Sequence, residues 1–402
     1  MNIAIVGGGA AGFFAAICIK ENYPDYKVTI FEKSSRVLNK VKVSGGGRCN
    51  VTNASKSIAE LCKAYPRGGN SLKKVFYTFN NFDAIKWFEA HGVELIIQED
   101  NCVFPKSQNS QTIIDCFLNY AQKYNIQIET NYKLIDIEQE NEKILLHFFE
   151  KEKKIFDKLI IAIGGISKLE TLNWLKNIGH IIIPPIPSLF SFEIKNNSIT
   201  NLSGIVIENT IISVIGTKHK STGTLLITHW GLSGPAILKL SSIAARELNE
   251  KNYQFSISIN WVNQNNHQIV IDELLRIKQE NINKNIANTR PYGLQERLWK
   301  FIVEKSDISA TKKWNEIGKT AWNKLVSVLT NDIYYISGYP RFKEEFVTCG
   351  GVALESVDLK TMQSKIIPNL YFAGEILDID GLTGGYNFQN AWSTAYIAAK
   401  LL

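Results

Sequence analysis

The hydrophobic pattern at the start of the chain predicts a strand, a helix and a second strand. Asn2–Val6 is almost wholly apolar and predicts a buried strand, and Ala10–Asn22 predicts a helix behind a glycine turn. Lys27–Glu32 predicts the second buried strand. This order is typical of a βαβ unit, in which a parallel sheet is covered by helices on both faces.

Aromatic residues at near-helical spacing predict two further helices, over residues 76–91 and 112–124. Several β-rich stretches between residues 132 and 163 predict a small meander that returns to the parallel sheet. Prolines at positions 184, 185 and 187 then predict a break in the chain.

The pattern changes after this break. Residues 189–262 are rich in strand patterns around one predicted helix, residues 235–248, and indicate an inserted barrel or sandwich. Residues 263–331 are rich in asparagine and predict three helices, over residues 269–279, 293–304 and 318–329. Strands return after Gly338, residues 370–374 predict a buried strand, and residues 388–402 predict a closing helix.

The two ends of the chain therefore predict one α/β domain of Rossmann type that is interrupted by an insertion. We assign residues 1–187 and 341–402 to this domain, residues 188–262 with about 332–340 to an inserted β-barrel domain, and residues 263–331 to a small helical domain. A length of 402 residues with 45% hydrophobic content is enough for two or three such domains.

The charge of the chain is mildly basic and unevenly distributed. The net charge of +7 is compatible with nucleic acid, a membrane surface or a small anionic ligand, and selects none of them. Residues 33–74 contain ten Lys or Arg residues against one acid, Glu60, so the rest of the chain is slightly acidic.

The six cysteines are scattered without a CxxC pair, which favours reduced thiols in a cytoplasmic protein. No Cys/His spacing indicates zinc, so we expect no metal site. We recognise neither a signal peptide nor an apolar run of about 18 residues, and therefore expect no membrane span.

The strongest chemical signal is the sequence Gly7-Gly8-Gly9-Ala10-Ala11-Gly12, which follows the first strand and opens the first helix. Glu32 ends the next strand twenty residues after Gly12, as the dinucleotide fingerprint requires. The helix N-terminus would bind a diphosphate, and the glutamate would accept hydrogen bonds from ribose hydroxyls. An acidic residue here favours FAD or NAD over NADP.

A second glycine-rich stretch, VSGGGRCNVTN, occupies residues 43–53. Gly45, Gly46 and Gly47 can expose successive N–H groups to an anion, Arg48 can neutralise a diphosphate, and Asn50 and Asn53 can hydrogen-bond a heteroaromatic edge. A dinucleotide that needs both glycine stretches is expected to be FAD in an extended pose. The alternative is a solvated basic loop.

Two later stretches carry the same signal. KLIIAIGG, residues 158–165, is a strand that ends in small residues, a turn that also closes many ordinary buried strands. In residues 370–389 a strand ends at Gly374-Glu375, and Gly384-Gly385 opens the last helix. The N-terminus of that helix would favour an anionic reduced flavin, and Asn387 and Gln389 could reach the pyrimidine edge.

The stretch THWGLSGPAIL, residues 228–238, either lines a substrate pocket with His229 and Trp230 or forms a structural corner. Neither reading is favoured. Cys49 and Cys349 lie in the glycine-rich motifs, and packing is the expected role of both thiols.

Together these motifs resemble the BaiN-like (YhiN-like) flavoproteins, which are NAD(P)/FAD-dependent oxidoreductases of the aminoacetone oxidase type. The resemblance rests on GGGAAG, SGGGRCNVTN, THWGLSGPAIL, TCGGV and FAGEILDIDGLTGGYNFQNAW, which occur in family order across the whole chain. It implies an FAD domain built from both chain ends, an inserted β-barrel and a small helical domain. The chain departs from the family pattern at Asn39, Ile163 and Cys349.

The residues expected to bind FAD, from the motifs and the resemblance together, are Gly7, Gly9, Ala10, Ala11, Gly12, Glu32, Lys33, Lys40, Ser44, Gly45, Gly46, Gly47, Arg48, Cys49, Asn50, Asn53, Leu134, Ala162, Gly164, Gly165, Gly374, Glu375, Asp378, Gly384, Gly385, Tyr386, Asn387 and Gln389. Tyr386 and His229 are candidate proton donors.

The predicted function is an FAD-dependent oxidoreductase that passes hydride from NAD(P)H to a small organic acceptor, with C=C reduction as one form of the reaction. No second G-x-G-x-x-G follows a strand, so NAD(P)H is expected to bind only transiently. The alternatives are a tRNA-modifying flavoprotein, a non-catalytic FAD-binding protein and a simple NAD dehydrogenase. Nucleic acid is the less expected partner because the FAD phosphates account for several of the basic residues.

Overall fold

The computed structural model describes residues 1–166, 168–340 and 347–402. The chain forms two compact units, one of Met1–Pro187 with Val347–Leu402 and one of Ser188–Phe346. Residues 341–346, where the predicted second segment of the FAD domain starts, lie outside the described residues.

The strands are β1 Asn2–Val6, β2 Lys27–Glu32, β3 Thr52–Asn53, β4 Leu95–Ile97, β5 Cys102–Pro105, β6 Gln127–Thr130, β7 Leu134–Glu140, β8 Lys143–Phe148, β9 Lys154–Phe156, β10 Lys158–Ile161, β11 Ile182–Ser188, β12 Phe192–Glu193, β13 Val206–Val214, β14 Lys220–Thr228, β15 Gly231–Ser233, β16 Phe255–Asn260, β17 Asp332–Ile336, β18 Val347–Val352, β19 Val357–Asp358, β20 Gln363–Ser364 and β21 Leu370–Phe372. The α-helices are α1 Ala10–Asn22, α2 Asn39–Gly47, α3 Ile58–Lys63, α4 Gly69–Thr78, α5 Asn81–Ala90, α6 Gln111–Lys123, α7 Asn173–Asn177, α8 Pro235–Ile243, α9 Ala245–Glu250, α10 His267–Glu280, α11 Glu296–Lys305, α12 Lys319–Thr330 and α13 Tyr386–Ala398.

The first unit is organised around a seven-stranded sheet in the order β19-β20-β21-β10-β1-β2-β6. The five strands from β21 to β6 are parallel, so β1 has β2 on one side and β10 on the other. This is the α/β architecture of Rossmann type that the sequence predicts, and it is built from both ends of the chain.

The core of this unit lies where α1 and α13 pack together. Residues 11–19 of α1 are all buried, because the helix is apolar on every side. Aromatic rings of Phe14, Phe88, Phe117 and Trp392 cluster around it. The two helices therefore hold the N-terminal and C-terminal motifs in fixed positions.

The helix predicted over residues 76–91 is wrong as a single element. The chain leaves the helix at Phe79 and starts a new one behind Asn80, whose side chain accepts hydrogen bonds from Phe82 and Asp83 in a capping box. The spacing of the aromatic residues continues through this break, so periodicity alone does not detect it. The helix predicted over residues 235–248 is likewise divided, at Ala244.

The proline-rich stretch forms a strand, and the division between the two units falls at its end, between Pro187 and Ser188. β11 contains all three prolines and pairs with β18 in a two-stranded sheet. A proline is tolerated there because a two-stranded sheet has only edge strands, on which one row of N–H groups needs no partner.

The second unit contains a six-stranded sheet in the order β12-β15-β14-β13-β16-β17. Its two edges meet where Glu193 forms a bridge with Gly338, which closes the sheet on itself. Helices α10, α11 and α12 share one hydrophobic core with this sheet. The division of this unit into separate barrel and helical domains therefore stays a prediction.

A buried carboxylate joins the helices to the sheet in this second unit. Asp332 accepts hydrogen bonds from the Trp261 indole at 3.0 Å and the Tyr334 hydroxyl at 2.6 Å, and pairs with Lys305 of α11 at 2.6 Å. Burial, with the adjacent carboxylate, raises the pKa of Tyr334 well above its ordinary value, so the hydroxyl remains a donor.

In the described part of the chain, no helix is long and apolar enough to cross a membrane. The same residues contain no group of three or more His, Cys, Asp or Glu side chains that could hold a metal ion.

Candidate functional site

The parallel sheet brings four predicted motifs to one edge. In the register of the sheet, Val6 of β1 lies opposite Phe31 of β2 and Ile161 of β10, and Ile161 lies opposite Phe372 of β21. The residues that follow these strands therefore meet at the carboxyl edge. Because the chain crosses from β1 to opposite sides of the sheet, a crevice opens at this point, which is where ligands bind in folds of this type.

Two of the glycines at the start of α1 are closely packed, and a third has empty space where a side chain would be. A Cβ on Gly7 would stand 2.2 Å from the Ala162 carbonyl oxygen, and one on Gly12 would stand 2.0 Å from the Gly7 carbonyl oxygen. Gly9 differs, since no atom lies within 4 Å of its Cβ position. The first-turn N–H groups of Ala10, Ala11 and Gly12 thus face a space that an anion can enter.

Glu32, the residue predicted to bind a ribose, ends β2 and lies beside the turn after β1. Its carboxylate accepts hydrogen bonds from the Gly8 amide at 2.8 Å and from the amide and hydroxyl of Ser34 at 2.9 and 2.6 Å. A carboxylate has about four acceptor positions, so one remains for a ribose hydroxyl. Lys33, the next residue, is exposed. The backbone oxygen of Glu32 accepts a hydrogen bond from the Tyr132 amide, and Leu134, two residues later, begins β7.

Glu375 is held at the same edge by a positive charge and by backbone donors. It forms an ion pair with Lys40 at 2.8 Å and accepts a hydrogen bond from the Thr348 amide at 2.9 Å. Burial raises the pKa of Glu375, but Lys40 and the amides of Thr348 and Gly165 outweigh it and bring the pKa below its ordinary value. The carboxylate is therefore charged at neutral pH and fixes the turn after β21 to the turn after β10.

We expect the Glu375→Gln variant to lose stability in a pH-dependent way. Because the folded-state pKa of this carboxyl is lowered, its contribution is complete above the unfolded value near 4.5 and disappears as the pH falls through the folded value. The variant should unfold about 2–4 °C below the wild type at pH 7, which corresponds to about 1 kcal/mol.

Thermal unfolding at pH 3 to 8 measures this difference, which should shrink below about pH 4. Glu94→Gln, which removes an exposed carboxylate paired with Lys106, is the matched control. A difference that stays constant down to pH 3 would contradict the assigned role of Glu375.

The second glycine stretch closes α2 with three successive left-handed residues. Gly45, Gly46 and Gly47 have φ values of 56°, 68° and 84°, which side chains rarely adopt. No atom lies within 4 Å of the Cβ positions of Gly46 and Gly47. Arg48 stacks on the Phe104 ring, with the centre of its guanidinium 4.2 Å from the ring centre. This stretch therefore presents open backbone beside a positioned arginine.

The asparagines after this stretch join it to the start of α13. The hydrogen-bond partners of the Asn50 side chain determine which way its amide points. In that orientation its nitrogen donates to the Thr52 carbonyl oxygen at 2.9 Å, and its oxygen accepts from the Gly385 amide at 3.2 Å. Asn53 donates to the Gly384 carbonyl oxygen at 3.2 Å. These side chains thus hold two backbone segments that are 331 residues apart in sequence.

Gln389 and Asn387 are also engaged by the protein itself. Buried Gln389 accepts a hydrogen bond from the Thr52 hydroxyl at 2.5 Å and donates to Ser393 at 2.9 Å. Asn387 bonds both the amide and the carbonyl oxygen of Gly381, at 2.8 and 2.9 Å. Their assignment as direct flavin contacts stays a prediction, since the geometry gives them a clear role in shaping the α13 turn.

Tyr386, the first residue of α13, lies in a network of buried polar groups. Its backbone oxygen accepts a hydrogen bond from the Tyr65 hydroxyl at 2.6 Å. Burial raises the pKa of the Tyr386 phenol, and a hydrogen bond with Ser55 offsets part of that rise. The phenol is therefore protonated at neutral pH and able to donate.

A buried ion pair lies under the same turn. Arg67 binds both carboxylate oxygens of Asp380, and the Asp380 side chain is fully buried. Burial lowers the pKa of Arg67, but the hydrogen bonds and charge of Asp380, with smaller effects of Cys349 and Asp378, raise it above its ordinary value. The pair fixes the turn between α3 and α4 to the segment that leads into α13.

The cysteines of the site are buried. Burial raises the pKa of Cys49 to about 12, with a smaller opposing effect of Ser44, so the group stays a thiol. Cys349 is also completely buried, in β18.

The structure brings most of the predicted residues together within the first unit. His229 belongs to the second unit, where it is exposed in the turn between β14 and β15. Sequence reasoning missed six polar residues that shape the site: Thr52, Ser55, Tyr65, Thr348, Arg67 and Asp380. Thr52, Thr348 and Asp380 lie within the motifs SGGGRCNVTN, TCGGV and FAGEILDIDG, so the motifs were the signal that could have found them.

The residues present fit FAD. Open space stands in front of Gly9 and beside Gly46 and Gly47, where a side chain would otherwise project. Both α1 and α13 follow a glycine turn, and neither has an acidic residue in its first helical turn that would repel an anion. Two helix N-termini and the Arg48 guanidinium suit FAD, which carries negative charge on its diphosphate and, when reduced, on its flavin ring.

Comparisons with known proteins identify the family of this chain. The model of the family described as HI0933-like protein Rossmann domain matches residues 1–401. The ribosomal RNA dihydrouridine synthase of Haemophilus influenzae is 29% identical over 406 residues, which cover 98% of this chain and 96% of that protein. The 3-dehydro-bile acid delta(4,6)-reductase of Clostridium scindens is 23% identical over 420 residues, 99% of this chain and 98% of that protein.

Solved structures support the fold. The 3-ketosteroid delta1-dehydrogenase of Sterolibacterium denitrificans superposes with a TM-score of 0.53 at 11% identity, over 99% of this chain and 98% of that chain. The resemblance to BaiN-like flavoproteins is thereby confirmed at the level of family and fold.

Proposed function

The chain belongs to the HI0933-like protein Rossmann domain family, and from this we propose that it is an FAD-dependent oxidoreductase that reduces a C=C bond conjugated to a carbonyl group. The observation that supports this most is the carboxyl edge of β1. There the open Gly9, the half-buried Glu32 and the Glu375–Lys40 pair face one crevice.

The reaction class follows from what two relatives have in common. Dihydrouridine is uridine saturated at a C=C bond next to a ring carbonyl, and a delta(4,6)-reductase of a 3-dehydro bile acid acts on C=C bonds conjugated to the 3-oxo group. Reduction of such a C=C bond adds a hydride to its carbon farther from the carbonyl and a proton to its nearer carbon. The electrons balance if NAD(P)H supplies the hydride and becomes NAD(P)⁺.

Bound FAD would supply the redox chemistry by carrying the hydride from the nicotinamide to the acceptor. The residues of this chain position it. The first-turn amides of α1 would bind the diphosphate, Glu32 would bind the ribose, and the N-terminus of α13 would favour negative charge on the flavin ring. Tyr386 stands at that N-terminus as the donor of the proton.

Anaerobic titration of the purified protein tests this proposal. We expect bound FAD with visible absorbance, bleaching by NADH or NADPH, and recovery of the absorbance when an acceptor with a conjugated C=C bond is added. Protein that takes up no FAD, or FAD that neither nucleotide bleaches, would refute the proposed reaction.

The Tyr386→Phe variant should separate the two half-reactions. Loss of a general acid lowers the rate by about 10²-fold, so we expect slow acceptor reduction and unchanged bleaching by NAD(P)H. Stopped-flow measurements of each half-reaction give the two rates. Tyr65→Phe is a useful control because it removes a neighbouring hydroxyl that donates to the Tyr386 backbone oxygen and not to its phenol. Equal acceptor rates in Tyr386→Phe and wild type would exclude Tyr386 as the donor.

A uracil in ribosomal RNA is the second candidate acceptor, beside a small unsaturated molecule. The full-length similarity to the Haemophilus influenzae protein favours it. The basic residues between positions 33 and 74 favour it too, because most of their side chains are exposed rather than directed to the site.

A further inference from the structure

The exposed face of α4 is cationic and carries an aromatic ring. Leu72, Val75 and Phe76 are buried on the inner face of this helix. Asn70, Lys73, Lys74 and Tyr77 share the opposite face at positions i, i+3, i+4 and i+7, and all four are exposed. Tyr77 is 69% exposed, an unusual position for a large aromatic ring.

The neighbouring helix extends this face. Lys63 in the last turn of α3 is exposed, and α3 packs against α4. Burial raises the pKa of the Cys62 thiol, and the charge of Lys73 offsets part of that rise, which locates the α4 lysine beside the end of α3. We call Lys63, Asn70, Lys73, Lys74 and Tyr77 the α4 face.

The charge of the α4 face is not balanced by the protein. Within residues 1–166, 168–340 and 347–402, neither Lys63 nor Lys73 nor Lys74 forms an ion pair. The only acid between residues 51 and 82 is Glu60, and its carboxylate accepts a hydrogen bond from the Lys56 amide. A concentrated positive face of this kind attracts polyanions.

The helix that carries the α4 face is a neighbour of α13. α4 packs against α13, whose N-terminus begins at Tyr386. The turn that leads from α3 to α4 contributes Tyr65 and Arg67, which bind Tyr386 and Asp380. A strand bound along the outer face of α4 is therefore separated from α13 by about the width of one helix, roughly 10 Å.

We infer that the α4 face binds the backbone of the RNA strand whose uracil is reduced, with the lysines on phosphates and Tyr77 stacked on an unpaired base. This inference rests on the RNA form of the proposed function. Lysine contacts and aromatic stacking are the combination by which proteins hold single-stranded nucleic acid, and an acidic peptide would give Tyr77 nothing to stack on.

Salt dependence of RNA binding tests the inference. The probe is a fluorescent single-stranded fragment of unmodified ribosomal RNA, and the variant carries Lys63→Gln, Lys73→Gln and Lys74→Gln. Because each phosphate contact contributes about 0.7 to 0.9 to the slope of log K against log salt, the variant should lose about 2 from that slope. We expect its affinity at low salt to fall at least tenfold, and Tyr77→Ala to weaken binding several-fold without changing the slope.

The matched control replaces Lys218, Lys220 and Lys319, three exposed lysines of the second unit, by glutamine and should leave both affinity and slope unchanged. FAD content and melting temperature show that each variant is folded. Equal binding by wild type and the α4 variant would overturn the inference, as would an equal loss of affinity for polyglutamate.

The two proposals fail in different ways. Wild-type protein that reduces an unsaturated ketone but does not bind the RNA would overturn the inference and leave the proposed function standing. Wild-type protein whose flavin is not reduced by NAD(P)H would overturn the proposed function, whatever the RNA measurements show.

Discussion

The Gly9→Val variant should fold normally and contain no FAD. Gly9 has an extended backbone, with φ −100° and ψ −165°, which valine adopts without strain. No atom lies within 4 Å of the position that its Cβ would take, so the new side chain meets only the space proposed for the diphosphate. The variant should therefore be colourless, with a near-native circular dichroism spectrum and no flavin-dependent activity.

The chain offers a matched control at Gly318. This residue also precedes a helix, has an extended backbone with φ −76° and ψ 162°, and has no atom within 4 Å of its Cβ position. It lies in the second unit. Gly318→Val should keep its full FAD content. If Gly9→Val binds FAD as tightly as the wild type, the diphosphate does not lie against α1.

The Asp380→Ala variant should lose about 3–5 kcal/mol of stability, because it leaves the guanidinium of Arg67 buried without its partner. The side chain of Arg67 is 14% exposed and that of Asp380 is fully buried, so water cannot replace the missing carboxylate. For a unit of this size the loss corresponds to a melting temperature lower by about 10 °C. The segment that leads into α13 would also loosen, so we expect weaker FAD binding.

Two further variants distinguish a broken ion pair from a general weakness of this region. Arg67→Met with Asp380→Leu removes both charges and should be more stable than Asp380→Ala, because no charge is left buried alone. Glu280→Ala, which removes an exposed carboxylate from Arg276 in α10, should change the melting temperature very little. A double variant less stable than Asp380→Ala would contradict the explanation.

The parts of the site that depend on local sequence were predictable. Gly7, Gly9 and Gly12 have positions fixed by a strand that precedes them and a helix that follows, and Glu32 follows at a fixed distance. Each of these residues can be recognised from its spacing within a single βαβ unit. The parallel sheet and the contribution of both chain ends followed from the same pattern.

The roles of the amides in the site were not predictable, because they depend on long-range pairing. Thr52 and Gln389 are 337 residues apart and meet only when β3 docks against α13. Asn387 satisfies the backbone of Gly381, which a one-dimensional pattern shows only as an asparagine in a helical turn. Sequence reasoning recognised Asn387 and Gln389 as site residues but did not identify the groups that they bind.

The errors in the secondary structure have similar causes. The break between α4 and α5 was signalled by the Asn80 and Asp83 capping box, but the aromatic spacing that spans it suggested one helix. The prolines of β11 suggested a hinge, because proline weakens most strands. Only the pairing of β11 with β18 shows that this strand is an edge where proline is tolerated.

The construction of the first unit from both ends of the chain affects how the protein is made. During translation, the α1 turn leaves the ribosome early, whereas Glu375 and the α13 turn are synthesised after about nine-tenths of the 402 residues. Until then, Asn50 and Asn53 lack the backbone groups of Gly385 and Gly384 with which they form hydrogen bonds. A nascent chain that lacks this late segment therefore has no complete cradle for a flavin, and cofactor loading is expected only after the segment has been synthesised.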